Sequence, residues 1–314
     1  MKIAFPLRMP TRKKRAYRIN EISNTSNLVL TIVMTILAIC TLIPVLLVVS
    51  VSLSSEEALS HGYKLIPEEF SLEAYTVLFK TGRSMARAYA NTVFYSFTGT
   101  AMALIVMSLF AYVLSLKDFK ARNKFAFYAF FTTMFSAGLV PAYFVNVRLL
   151  HLGDTIWIFL LPGLVAPFNV IILRTFMQTS IPDSLMEAAR LDGASDWRIY
   201  WQIVMPLSKA GLATVGLTTL VAKWNDWFTG LLYVRNPDLI PLMTYLEKMQ
   251  KNLDFLKANS QLAGTPDGKA LLASIPTQST RMAILVLGIL PIMLAYPFFQ
   301  KYFVKGLTVG SVKG

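Results

Sequence analysis

Few residues in this chain are of types that do covalent or metal chemistry. Cys40, His61 and His151 are its whole supply of cysteine and histidine, too few for a His/Cys metal site and too few for a disulfide framework. The stretch Gly264-Thr265-Pro266-Asp267-Gly268-Lys269-Ala270 has a superficial likeness to a phosphate loop. It places three residues between its glycines instead of four, and Ala270 stands where a magnesium-binding Ser/Thr belongs. It reads as a turn-rich loop, and no bound cofactor is expected. A more promising set is Lys223-Trp224-Asn225-Asp226-Trp227, inside an apolar segment. Charges at the centre of a membrane helix cost about 2.5–3.5 kcal/mol each. Lys223 and Asp226, three residues apart, share a helix face and are expected to pair. Asn225 between Trp224 and Trp227 also has the makings of a sugar contact, with amides on hydroxyls and aromatic faces on rings. An internal ion pair and a substrate path are both open readings of this segment. Asn169 and Asn91 are weaker candidates for the path.

The second informative set is the polar-apolar loop 178–210. From Ile181-Pro182-Asp183-Ser184 through Glu187-Ala188-Ala189-Arg190-Leu191-Asp192-Gly193-Ala194-Ser195 to Met205-Pro206-Leu207 it reads as two short helices with a glycine break. Pro182 suits a first turn, and Ser184 with Glu187 has capping-box spacing. Gly193 stops the first helix, Ser195 caps the second and Pro206 ends it. Ala188 and Ala189 leave one face smooth enough for another surface to approach. Leu185, Met186, Trp197, Tyr200, Trp201, Ile203 and Val204 carry more apolar area than a solvated loop needs. Such a loop is expected to dock on something.

What positions these residues is a membrane. Of 314 residues 55% are hydrophobic and 15% charged, with mean hydropathy +0.53, against roughly 25% charged in soluble domains. Disorder is excluded by the same figures. Charge-free runs of 34, 29, 23, 19 and 19 residues lie between Glu21 and Glu56, Arg87 and Lys117, Lys124 and Arg148, Asp154 and Arg174, and Arg281 and Lys301. About 20 apolar residues cross a bilayer as helix, and barrel strands would be shorter and alternating. The expected fold is therefore all-α, with six transmembrane helices near 28–52, 88–115, 125–147, 155–177, 211–234 and 282–302. The first is too long for a signal-peptide core and is expected to be retained. Prolines 44, 141, 162, 167, 291 and 297 are expected to kink these spans.

Basic residues orient the chain. With the N-terminus inside, the inner segments carry a net charge of +11 and the outer ones +1, so both termini are expected in the cytoplasm. This topology accounts for the net +13 and its cluster Arg12-Lys13-Lys14-Arg15 through anionic lipid, and nucleic acid is not an expected partner. A basic segment 1–27 precedes the six-helix domain 28–303, and a tail 304–314 follows it. Outer loops 54–86 and 235–280 are long enough to fold, with short helices expected from Ser71 and over Leu242 to Ala258.

Glu187-Ala188-Ala189, Asp192-Gly193-Ala194, Ile203 and Met205-Pro206-Leu207 together resemble the EAA loop of the membrane subunits of ABC importers. Met205 stands for the usual Leu, and Ala210 stands where a second Pro is common. Trp224-Asn225-Asp226 and the tail from Gln300 to Gly314 resemble the carbohydrate-type members, in their oligosaccharide and polysaccharide branch. The resemblance implies a type I permease fold with a cytoplasmic coupling helix, and no catalysis on this chain. ATP would be hydrolysed by a separate cytoplasmic ABC ATPase dimer, held through Glu187, Ala188, Ala189, Asp192 and Gly193. It also implies a second six-helix membrane subunit, a non-identical sibling, and an extracytoplasmic solute-binding protein that meets the outer loops. Trp224, Asn225, Asp226 and Asn169 would line the substrate path. A free-standing secondary transporter predicts ion-coupling carboxylates and an inverted repeat; Asp226 is one plausible carboxylate and no repeat is obvious. An intramembrane enzyme needs a His/Asp/Glu cluster or a Ser/Lys dyad, and neither histidine lies in a span.

Overall fold

The computed structural model describes residues 23–80, 83–135, 137–258 and 278–309. The 264–270 loop, most of the basic N-terminal segment and the last five residues lie outside them. The described residues are helical apart from turns and one antiparallel bridge between Ser54 and Phe70. In chain order the helices are α1 (Asn24–Ser52), α2 (Glu56–Ser60), α3 (Glu73–Lys80), α4 (Arg83–Ser115), α5 (Arg122–Met134), α6 (Leu139–Phe144), α7 (Trp157–Leu160), α8 (Pro167–Ser180), α9 (Asp183–Leu191), α10 (Asp196–Ile199), α11 (Met205–Leu207), α12 (Lys209–Trp224), α13 (Phe228–Tyr233), α14 (Leu242–Ala258) and α15 (Gln278–Val309).

α4 is the axis of the structure. At 33 residues it is about 50 Å long, and it packs against α12, α8, α5, α7 and α14. Its buried stripe is rich in small residues, Ala88, Thr92, Ser96, Gly99, Thr100, Ala103, Ser108 and Ala111, with Tyr95, Met107, Tyr112 and Leu114 among them. In lipid there is no hydrophobic drive between helices, so close backbone approach and van der Waals contact hold them together. α12 meets the same need with Gly211, against the Phe176 ring, and Gly216, against Leu104. Along α1, by contrast, Leu28, Ile36, Leu37 and Ile39 are each more than half exposed, an apolar surface suited to lipid although the helix runs beside α15.

α1 and α4 alone among the described helices are continuous and apolar enough to cross a bilayer, and Gln278–Leu294 of α15 is a shorter apolar helix. The segments expected at 125–147, 155–177 and 211–234 are each interrupted, which corrects the reading of them as single helices. The first breaks before Gly138, at φ +85°. The second breaks between α7 and α8, where Pro162 and Pro167 withhold N–H groups and Gly163 takes φ +76°. The third breaks at Asn225–Trp227, without proline. Pro44, Pro291 and Pro297 lie within continuous helices, and Pro141 sits in the first turn of α6, where its missing N–H costs little.

The long connecting segments 54–86 and 235–241 are tied down by polar clamps. Asp154, at φ +57°, accepts the amides of Arg235 (3.0 Å) and Asn236 (2.8 Å) at Oδ1. Ser71 Oγ accepts the Glu73 amide at the start of α3 (3.2 Å), and α14 spans the expected residues. Below it, α14 presses so closely on α13 that a Cβ on Gly230 would stand 2.3 Å from Thr244 Oγ1. Thr244 is fully buried and donates to the Trp227 carbonyl (2.9 Å). Gly230→Ala is expected to cost about 1–3 kcal/mol by overpacking, read as earlier thermal unfolding in detergent, and adding Thr244→Ala should recover part of the loss.

Candidate functional site

The loop between α8 and α12 is a pair of helices folded back on the α4 core. α9 begins at Asp183 with Pro182 as its N-cap, and no side chain caps it. The expected Ser184–Glu187 capping box is therefore absent: Ser184 already sits inside the first turn. The other end matches expectation. The Gly193 amide bonds to Arg190 O and the Ala194 amide to Ala189 O, both at 3.0 Å, the pair of hydrogen bonds of a Schellman stop. Gly193 has φ +79°, and a Cβ there would meet no atom within 4 Å. Backbone conformation, not crowding, demands glycine.

Ser195 caps α10 by accepting the Arg198 amide (3.3 Å). Pro206 does not end this helix. The run widens into a π turn over Tyr200–Val204, where the Met205 amide reaches Tyr200 O, and continues through Pro206 to Leu207. Proline lacks the N–H that a regular helix would need at 206, and the wider turn accommodates this. The chain then bends by 78° into α12.

Ile199 and Tyr200 are fully buried. They join Met107, Ala111 and Leu114 of α4 and Leu173 and Met177 of α8 in one cluster, and the Tyr200 and Ser108 hydroxyls share a 2.7 Å hydrogen bond. Met186, Ala189 and Ala194 pack against the same cluster. The two alanines therefore differ: Ala189 faces the core, while Glu187, Ala188 and Asp192 are exposed and Leu191 is 89% exposed. Among the described residues no hydrogen-bond or ion-pair partner meets Glu187. Lys117 pairs with Asp183, and Arg190 with both Asp118 and, at 3.4 Å, Asp196. The hydrogen bond to Asp118 raises the already high pKa of Arg190, so its charge is permanent. Exposed pairs contribute about 0–1 kcal/mol each. Buried Tyr200 and Ile199 anchor the loop, and the ion pairs set its orientation on the 116–121 segment.

The candidates within the membrane separate. Lys223 and Asp226 do not pair: Lys223 Nζ donates to the Phe159 carbonyl (3.0 Å), while Asp226 Oδ1 accepts the Thr229 amide (3.0 Å). The helix ends at Trp224, so the spacing that would have aligned the two no longer applies. Trp224 is 2% exposed, its Nε1 donates to Gly288 O (2.9 Å), and its ring meets Tyr89 edge-on; it is a packing residue. Asn225 is exposed, with its amide on Val221 O (3.0 Å). Asn169 is half-buried and 3.5 Å from Thr219 Oγ1. Asn91 holds the 238–240 segment through Asp238 O and Ile240 O. Sequence reasoning missed that the breaks in the fourth and fifth segments lie side by side, joined by Lys223. The signals were Pro162 and Gly163, which free the Phe159 carbonyl, and Gly99, against which the Lys223 stem lies within 3 Å of a would-be Cβ.

A helical membrane protein with its central helices broken, and a two-helix loop presented at one end, has the architecture of a type I transporter permease. Residues 22–309 match the family of binding-protein-dependent transport system inner membrane components, and the chain belongs to that family. It is 36% identical over 278 residues to the polygalacturonan/rhamnogalacturonan transport system permease protein YtcP of Bacillus subtilis, covering 88% of this chain and 94% of YtcP. It is 35% identical over 275 residues to protein LplC of the same organism, covering 87% and 90%. Its structure resembles a chain of a bacterial ABC transporter involved in the import of the acidic polysaccharide alginate, with TM-score 0.77 and 32% identity over 90% of this chain and 99% of that one.

The open space at Gly193 makes a discriminating prediction. Gly193→Val is expected to cost about 1–3 kcal/mol of backbone strain, exposing Arg190 and Arg198 to trypsin in the solubilised protein. Gly193→Asn, which tolerates the left-handed region, should stay close to wild-type protection.

Proposed function

We propose that this chain is a translocation subunit of an ATP-driven importer of carbohydrate oligomers, and that the α9–α11 loop couples it to a cytoplasmic ATPase dimer. It crosses the membrane six times, through α1, α4, α5 with α6, α7 with α8, α12 with α13, and α15. Both termini are cytoplasmic, which the excess of basic residues on the inner segments supports. A second, non-identical membrane subunit completes the path, and an extracytoplasmic binding protein delivers the substrate to the outer segments. ATP binds the partner ATPase.

The observation that carries this reading is the loop itself. α9 turns Glu187, Ala188 and Leu191 outward and Met186 and Ala189 inward, so one face is rooted in the α4 core and the other is open to a partner. Leu185, Trp197 and Trp201 add exposed apolar area. A partner that grips this face can move α12 through the buried Ile199 and Tyr200, with no flexible linker between them. The names of the relatives supply the substrate class: YtcP for polygalacturonan and rhamnogalacturonan, and AraQ of Bacillus subtilis for arabino-oligosaccharides. A secondary transporter fits less well, because Asp226, its one candidate coupling carboxylate, already caps α13.

Glu187→Lys is expected to lower ATP-driven uptake at least tenfold in proteoliposomes holding all the subunits, with membrane insertion unchanged. Uptake at the wild-type level would remove the coupling role. Purification in mild detergent from native membranes should bring down an ATPase and a second membrane subunit; a chain that comes out alone and still transports would return the secondary transporter to favour.

A further inference from the structure

Beside Trp227, which directly precedes α13, and the first turns of α15 lies a cavity of about 550 Å³, within the range of about 300–1,000 Å³ typical of small-molecule sites. Trp227, Met243, Leu246, Glu247, Gln278 and Arg281 line it. The two tryptophans that flank Asn225 thus have opposite fates: Trp224 is sealed in the core, whereas Trp227 is 42% exposed and borders the cavity. Its main chain is held, since the carbonyl accepts the Thr244 hydroxyl and Gly230 lets α14 come close. Phe228 braces the indole edge-on at 5.6 Å. Lys251 Nζ lies 5.7 Å from the ring centroid and 3.5 Å from Glu247, which links the indole to a carboxylate one turn away on α14. Gln278, whose amide holds the Tyr63 hydroxyl, and Arg281 stand across the cavity on the first turn of α15.

We propose that this cavity is a sugar-ring subsite at the outer end of the translocation path, with Trp227 as its stacking platform. A pyranose or furanose ring has one face of C–H groups and a rim of hydroxyls. The cavity offers a planar apolar surface of matching kind, ringed by a carboxylate, an amide and a guanidinium that form directed hydrogen bonds. An acyl chain would make no use of those polar groups. The inference rests on the transport reading above and adds where the glycan first meets this chain.

The test uses the complete complex, with its ATPase, second membrane subunit and binding protein, in proteoliposomes. Trigalacturonate, trimannuronate and arabinotriose serve as probes. For a probe that the wild type imports, Trp227→Ala should raise the apparent KM at least tenfold, Trp227→Phe should stay within threefold of wild type, and Glu247→Gln should raise KM at least threefold. Basal ATPase activity and the affinity of the unliganded binding protein should not change in any of them. An unchanged KM in Trp227→Ala overturns the proposal. So does a loss that follows weakened capture of the unliganded binding protein, which would make the cavity a protein contact. Should Trp227→Ala fail to assemble, an unchanged KM in Glu247→Gln overturns it and a raised one supports it. A wild-type complex that imports none of the three probes, and shows no ATP-driven uptake of other oligosaccharides, fails at the transport reading itself.

Discussion

Inside a bilayer no water is available to satisfy a backbone amide or carbonyl, so each place where a helix stops must be closed by another part of the protein. This chain stops its central helices in the fourth and fifth apolar segments and meets that demand with side chains. Lys223 donates to the Phe159 carbonyl that the end of α7 leaves free, and Asp226 takes an amide at the start of α13. The two charged groups that look like a costly pair in the sequence are each used on the backbone. The arrangement needs Gly99, because the Lys223 stem fills the volume a side chain would occupy. A broken apolar segment, a half-buried lysine and a glycine on α4 form one unit.

The same economy shapes the loop between α8 and α12. The α9–α11 loop has a buried root in Ile199 and Tyr200, braces to Lys117 and Asp118 at its sides, and an outward face carrying Glu187, Ala188 and Leu191. Its helix is not uncoiled at Pro206 but widened, and the 78° turn into α12 follows immediately. In the proposed coupling role, displacement of the outward face would pass to α12, which carries Lys223 and leads to the break at Asn225. The α9–α11 loop and Trp227 beside the cavity belong to one continuous stretch of chain, 183–227.

Much of this was legible in the residues. The apolar runs marked α1 and α4, the glycine stop of α9 and the Ser195 cap followed from local rules, and α14 covers the residues its pattern indicated. These are properties of neighbours within a turn or two, and short-range chemistry decides them. The failures have a common cause. Ser184–Glu187 has capping-box spacing, but Pro182 set the helix start two residues earlier. Lys223 and Asp226 have pairing spacing, but only on a helix that continues past Trp224. A spacing argument assumes the element it is drawn on.

The sequence by itself determined that the chain belongs in a membrane and which loop between its apolar runs carries two short helices, because composition and local periodicity do not depend on what packs against them. The tertiary structure alone decided which of two tryptophans is core and which is surface, which of two adjacent alanines faces out, and which partner each intramembrane charge takes. Those outcomes depend on contacts between residues that lie far apart in the chain, such as Trp224 with Gly288 and Tyr200 with Ser108, and no local pattern contains them.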